Sequence, residues 1–204
     1  ELEIQLVNSS NQVSELRQNL DQVRREATVD GLTGLANRRA FDKYVRDCVD
    51  EARANNLPLV MLILDIDHFK NINNNYGQAM GDSFGHVVGD QVLRLVARTL
   101  IDGIKGRDIA ARYGGEEFVI LLPDTHLHSG LKVAESLRRN VESKEVVNRS
   151  NQESMGQITL SVGIAEYAPG EDIVDFVTRA DKALYEAKRT GRNRVCIAPA
   201  PPRA

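Results

Sequence analysis

The sequence predicts an α+β fold: an antiparallel central sheet flanked by helices, behind an N-terminal coiled-coil-like helix. Three observations carry this. A heptad pattern occupies residues 1–27, strand-like and helix-like segments interleave after it, and two neighbouring strand-like segments flank a glycine turn. The glycine turn implies antiparallel pairing and argues against a purely parallel, doubly wound sheet. The expected division is a helix over 1–27, a compact domain over 28–198, and a Pro/Ala-rich tail over 199–204 without fixed structure.

In the first segment Leu2, Leu6, Val13, Leu16, Leu20, Val23 and Ala27 fall at alternating four-three spacings, with Ser9 in the remaining position. A period of about 3.5 residues marks a coiled-coil seam; a helix laid on its own domain is the alternative. The chain opens on Glu1 with the pattern already running, which fits a piece of a longer protein. Asp30-Gly31 and Gly34 break the pattern. Asn37 is placed to cap a helix running to Asn55, with Phe41, Tyr44, Val45, Cys48 and Val49 on one face. Leu57–Asp65 reads as a buried strand with an acidic end, followed by a short helix from His68. Asp90 is read as opening a helix that carries Val92, Leu93, Val96, Ala97 and Leu100. Asp108–Tyr113 and Glu117–Leu122 read as strands joined by a tight Gly114-Gly115 turn. A helix over Leu127–Ser143, a strand over Gln157–Tyr167, a helix over Ile173–Thr190 and a strand over Arg194–Ala198 complete the order. Tyr76–Asp82 is echoed eight residues later by Phe84–Asp90, a short duplication inside a loop, where extra length costs little closure entropy.

Composition removes several classes. A net charge of −3 gives no bulk attraction to nucleic acid or anionic lipid, so phosphate must be bound by locally placed cations. Leu57–Leu64, the longest apolar run, is far short of a membrane span. Cys48 and Cys196 are too few for a disulfide framework and lack metal-ligand spacing, which suits a reducing compartment and a cytoplasmic domain. No Ser elbow, Walker A loop or dinucleotide fingerprint is present, and His126 and His128 read as surface loop residues.

Three groups of residues could carry chemistry. Asp65 and Asp67 share one side of a strand end, because side chains alternate with period two. A carboxylate there suits Mg²⁺, although capping or solvation explains the pair equally well. Gly114-Gly115-Glu116-Glu117 adds two adjacent, mutually repelling carboxylates, an arrangement better explained by a cation than by a plain solvated turn. Its glycines are expected to reach positive φ and to let the backbone approach a ligand. Lys70 follows Asp65 at a helix start, and Lys188 and Arg192 bracket Gly191 at a helix end, where neutralising the helix dipole is the alternative role. Together the groups point to metal-assisted phosphoryl or nucleotidyl transfer.

From Asp30 to Val195 the chain resembles the GGDEF family of diguanylate cyclases. The likeness runs through Asp30–Arg39, Leu64–Lys70, Gly85–Asp90, Arg112–Phe118 and Ala187–Asn193, in that order. The resemblance implies a palm-like, nucleotide-cyclase or ferredoxin-like sheet and the condensation of two GTP into cyclic di-GMP. A catalytically silent GTP or cyclic di-GMP binding module is the alternative. It further implies two Mg²⁺ or Mn²⁺ ions per GTP site, held by Asp65, Glu116 and the carbonyl of Ile66. Glu116 would be the base for the 3′-hydroxyl, with Glu117 secondary, and Lys70, Lys188 and Arg192 would grip the triphosphate. Gly114 and Gly115 would leave room for GTP, and Asn73 and Asp90 would read guanine. Here the duplication divides two criteria: the family's nine-residue spacing from Asn73 selects Asp82, whereas a helix starting after Gly-Asp selects Asp90. The family's product-inhibition motif is Arg-x-x-Asp; this chain has Lys105-Gly106-Arg107-Asp108, and lysine lacks arginine's planar fork. The expected partners are GTP, a second copy of the domain and an upstream sensor, with no nucleic acid and no membrane contact by this segment.

Overall fold

The computed structural model describes residues 2–72, 82–147 and 154–201. Helix α1 runs Leu2–Thr28, α2 Arg38–Asn55, α3 Asp82–Gly103, α4 Leu127–Glu142 and α5 Ile173–Arg189. Strands are β1 Leu59–Ile66, β2 Ile109–Arg112, β3 Glu117–Pro123, β4 Glu145–Val147, β5 Ser154–Gln157, β6 Leu160–Glu166 and β7 Val195–Ile197. The main sheet has the order β2-β3-β1-β6-β7 and is antiparallel except at one edge, where β7 lies parallel to β6. The α+β reading therefore holds, with a mixed sheet instead of a wholly antiparallel one. β4 and β5 form a separate ribbon that the sequence reading did not anticipate.

Local chemistry explains the elements that matter. Asn37 caps α2: its side chain accepts from the N–H of Ala40 at 2.9 Å, a bond worth about 1 kcal/mol. The β1 sequence is apolar at every step from Leu59 to Leu64 because both faces of the sheet are covered, and Asp65 interrupts it only near the end. Val60, Leu62, Leu64 and Ile66 pack with Val92, Val96 and Leu100 of α3 and Leu137 of α4. Leu59, Met61 and Ile63 pack with Phe41, Val45 and Val49 of α2 and with Phe176 and Leu184 of α5. By the same alternation Asp65 and Asp67 leave the sheet on the α5 side.

α5 lies unusually close to that face. A Cβ added at Gly163 of β6 would sit 2.1 Å from the carbonyl oxygen of Ala180 and 2.3 Å from the nitrogen of Leu184. The missing side chain lets the helix backbone rest on the strand, and Lys188 follows Leu184 by one turn. On α1, Val13, Leu16, Leu20 and Val23 are exposed, so this part of the seam is not covered by the chain's own domain. Among the described residues no helix is long and apolar enough to cross a membrane.

Two sequence expectations change. α3 is described from Asp82, and Asp90 lies inside it, so Asp90 does not open a helix. The helix criterion that favoured Asp90 is removed. The β2–β3 connection is also longer than a two-residue turn, spanning 113–116. Neither Gly114 nor Gly115 is among the residues with positive φ. Their use is spatial: a Cβ on Gly114 would come within 2.8 Å of Glu117 Oε2, whereas one on Gly115 would meet nothing within 4 Å.

Candidate active site

The end of β1, the β2–β3 loop and the end of α5 meet on one side of the sheet. Asp65 is 4% exposed and pairs in register with Glu117 of β3 and Ser161 of β6. Its Oδ2 lies 2.7 Å from Lys188 Nζ. Glu116 is tied to β1 through its backbone, where its carbonyl accepts from the N–H of Ile66 at 3.3 Å. The loop is pinned at its neck, with the N–H groups of Tyr113 and Gly114 both donating to the Glu117 carbonyl, at 2.9 and 3.3 Å.

The electrostatics are those of a site short of positive charge. Burial pushes the Asp65 carboxyl above its ordinary value; Lys188 opposes that, while Glu117 and Asp67 add to it. Burial also raises Glu116, followed by the charge of Asp65, with Lys188 again opposing. One lysine does not compensate the group. Among the described residues no three His, Cys, Asp or Glu side chains converge into a metal cage. Two carboxylates at an open strand end fit a different donor set, that of Mg²⁺, which keeps water and substrate phosphate oxygens among its ligands. On that chemistry the residues present fit a divalent cation.

Asp67 has a separate role. Its carboxylate accepts from Ser161 Oγ at 2.6 Å, Thr159 Oγ1 at 2.7 Å and the N–H of Asn193 at 3.0 Å. Those three bonds, one to Oδ1 and two to Oδ2, tie it to β6 and to the turn after α5. Lys70 and Arg192 are exposed and, among the described residues, ion-pair with neither Asp65 nor Glu116. Asp90 is half-buried in α3, and Asn73 lies outside the described residues.

Sequence reasoning missed one arrangement at this loop. Arg112 donates to the Gly115 carbonyl from Nη2 at 2.7 Å and to both oxygens of Asp30 at 3.2 and 3.3 Å. Burial raises Asp30, but hydrogen bonds from Thr33 and the Arg112 charge outweigh it and hold the carboxyl below its ordinary value. Asn37 donates to the Ala27 carbonyl at 3.0 Å, so the end of α1 is joined to the same corner. The presence of Asp30 and Arg112 in separate motifs was the available signal; their contact across 82 positions was not readable. At the Lys105–Asp108 turn, Asp108 Oδ2 accepts from the N–H of Lys105 at 2.9 Å, and Arg107 pairs with Glu51.

A known family matches this arrangement. The sequence profile described as "Diguanylate cyclase, GGDEF domain" fits residues 27–194. The chain belongs to the GGDEF diguanylate cyclase family. It is 39% identical over 184 residues to the diguanylate cyclase VdcA of Vibrio cholerae, covering 90% of this chain and 51% of that protein. It is 39% identical over 181 residues to the response regulator PleD of Caulobacter vibrioides, covering 88% and 38%. The chain thus spans about half, or less, of the curated relatives it matches. Among solved structures, the coiled coil and GGDEF domain of DgcB from Caulobacter crescentus, in complex with cyclic di-GMP, superposes with a TM-score of 0.88. That match is 43% identical and covers 97% of this chain and 99% of DgcB's. The active GGEEF domain of a Vibrio cholerae diguanylate cyclase superposes with a TM-score of 0.71 at 36% identity, covering 82% and 99%. GTP is the family's substrate, and its cyclases depend on divalent metal.

Proposed function

We propose that this GGDEF domain condenses two GTP into cyclic di-GMP across a dimer, working in the cytoplasm as part of a longer signalling protein. The observation that carries the reading is the buried Asp65 beside Glu116, with both carboxyls held above their ordinary values and, among the described residues, only Lys188 ion-paired to Asp65. Asp65, Glu116 and the Ile66 carbonyl would hold two Mg²⁺ or Mn²⁺ ions. When bound, such ions supply positive charge to the phosphate oxygens and acidify a coordinated hydroxyl.

The residues of the chain do the rest. Glu116 takes the proton of the 3′-hydroxyl, which attacks the α-phosphorus of the GTP on the facing domain. The bond to the bridging oxygen breaks and pyrophosphate leaves; a second, reciprocal step closes the ring. Lys188 gives up Asp65 and, with Lys70 and Arg192, grips the triphosphate. Gly115 leaves the open space into which GTP fits. Asn73 and a carboxylate read the guanine edge, since a carboxylate accepts from N1–H and N2–H₂ and does not suit adenine. Asp90 is the carboxylate proposed for that contact, because Gln91-Val92-Leu93-Arg94 continues the family pattern after it, whereas the nine-residue spacing from Asn73 selects Asp82. Dimerisation is assigned to the helix over residues 1–27, whose seam is exposed at Val13, Leu16, Leu20 and Val23 and would also pass on the state of an upstream sensor.

The silent-module alternative is disfavoured because Asp65, Glu116 and Lys188 are assembled. Product feedback through Lys105–Asp108 is proposed to be weak, because Arg107 is engaged with Glu51 and does not stand in for the missing arginine. The test is incubation with GTP and Mg²⁺ followed by chromatography. Cyclic di-GMP from the wild-type chain and none from Glu116→Gln supports the reading; equal product from both overturns the assignment.

A further inference from the structure

A buried carboxylate that the proposed chemistry does not use stands two residues after Asp65. Asp67 is 5% exposed, and one of its three bonds comes from the backbone N–H of Asn193. The side chain of Asn193 is held from the other side. Its amide oxygen accepts from Arg138 at 2.7 Å, and its amide nitrogen donates to Glu142 Oε1 at 2.7 Å. These partners permit only that orientation, since a guanidinium only donates and a carboxylate only accepts. Arg138 is gripped in turn by Glu142 at 2.9 Å and Glu135 at 3.0 Å.

What this network encloses is a left-handed stretch of backbone. After the C-cap Thr190, Gly191, Arg192 and Asn193 follow with φ of 122°, 60° and 46°. Glycine and asparagine tolerate this region, whereas an arginine stays there only when its surroundings over-determine it. They do so here. The Arg192 N–H donates to the Ala187 carbonyl at 2.9 Å, closing α5 with a Schellman-type bond. The Arg192 carbonyl accepts from Arg194 Nε at 3.0 Å. Both peptide groups of Arg192 are thus fixed while its side chain is exposed, with no ion pair among the described residues.

We infer that Asp67, Asn193, Arg138 and Glu142 are positioning residues that hold Arg192 left-handed and so present its guanidinium to the phosphate chain of the nucleotide. The inference rests on the reading of the cleft as a GTP site. The same bonds would otherwise serve only to fasten a surface turn, and the two roles differ in what they do to binding. A fastened turn matters to stability; an aimed arginine matters to ligands that carry a triphosphate.

The experiment is calorimetric titration of a non-hydrolysable GTP analogue with Mg²⁺, and separately of GMP. It uses the wild-type chain, Asn193→Ala, Arg192→Ala and the double variant. Loss of one charge-assisted contact predicts that Asn193→Ala weakens the analogue about tenfold. GMP should change by less than about twofold, because the lost contact is to the outer phosphates. In the Arg192→Ala background the Asn193 change should add less than about twofold, since nothing remains to be aimed. Analogue binding by Asn193→Ala within about twofold of wild type overturns the inference, as does an equal loss in the Arg192→Ala background or an equal loss for GMP. Should Asn193→Ala not fold, Asn193→Gly takes its place, keeping the left-handed backbone and the N–H to Asp67 without the side-chain clamp. A wild-type chain that binds no GTP analogue overturns the GTP-site reading itself, and this inference with it. A wild type that binds, with Asn193 variants that bind equally well, overturns this inference alone.

Discussion

Asp65 and Asp67 leave the same strand end on the same face, and the fold treats them in opposite ways. Asp67 receives three hydrogen bonds and joins β1, β6 and the turn after α5. Among the described residues Asp65 has one cation, Lys188, and further carboxylates nearby that raise its affinity for a proton. A satisfied buried carboxylate holds structure together. An under-neutralised one stores electrostatic cost that a proton or a bound cation relieves, and so marks where a cation is expected. The Asp-x-Asp pair is therefore one structural residue and one functional residue.

Changes that would break or sharpen this contrast differ widely in expected size. Glu116→Gln should lower cyclic di-GMP formation at saturating GTP and Mg²⁺ by about a thousandfold or more, the scale of removing a principal charge from such a site. Its melting temperature should not fall, because the fold gains nothing from that charge. Gly163→Ala should be the most destabilising change, about 3 kcal/mol or about 9 °C in melting temperature. The new Cβ meets the helix backbone at 2.1 Å, and backbone cannot step aside as a flexible side chain can. Lys188 should then shift away from Asp65.

The paired substitutions Asp67→Asn and Asp65→Asn test the contrast itself. In metal-free protein Asp67→Asn should cost about 2 kcal/mol, because its amide cannot accept from all three donors. Asp65→Asn should stay within about 1 kcal/mol of wild type, its lost ion pair offset by the lost cost of a buried charge. Equal losses in chemical denaturation would remove the contrast. The pH effect is smallest. Asp65 and Glu116 are raised in the fold, so their protonated forms contribute fully below the ordinary carboxylate range, about pH 4, and that stability is lost as pH rises through the raised values. Glu116→Gln should therefore melt above metal-free wild type at pH 7.5, by about 1 °C after solvent screening, and level with it near pH 4.

The sequence carried some of this and not the rest, for physical reasons. The β1 run was legible because both sides of the strand are buried, which removes any alternation. Asn37 was legible because a cap is local. The direction of β7 was not, since a three-residue strand takes its direction from the helix that returns the chain to β6. Lys188 could be named as a cation, but its place on Asp65 depends on Gly163 admitting α5 to the sheet. The separate fate of Asp67 depends on Thr159, Ser161 and Asn193, all distant in sequence. Asp90 was misread as a helix opening because a duplicated Gly-Asp repeats the opening pattern, and pattern alone does not say which copy lies inside a helix.

On this reading the Asp65–Glu116 charge imbalance is a divalent-cation site completed by nucleotide. Titrating Mn²⁺ in the presence of a non-hydrolysable GTP analogue, into wild type and into Glu116→Gln, tests it most directly. Wild type should bind two ions per domain, and the variant fewer ions or the same ions at least about tenfold more weakly, the loss expected for one charged ligand. The same number of ions bound at the same affinity by both proteins would contradict it.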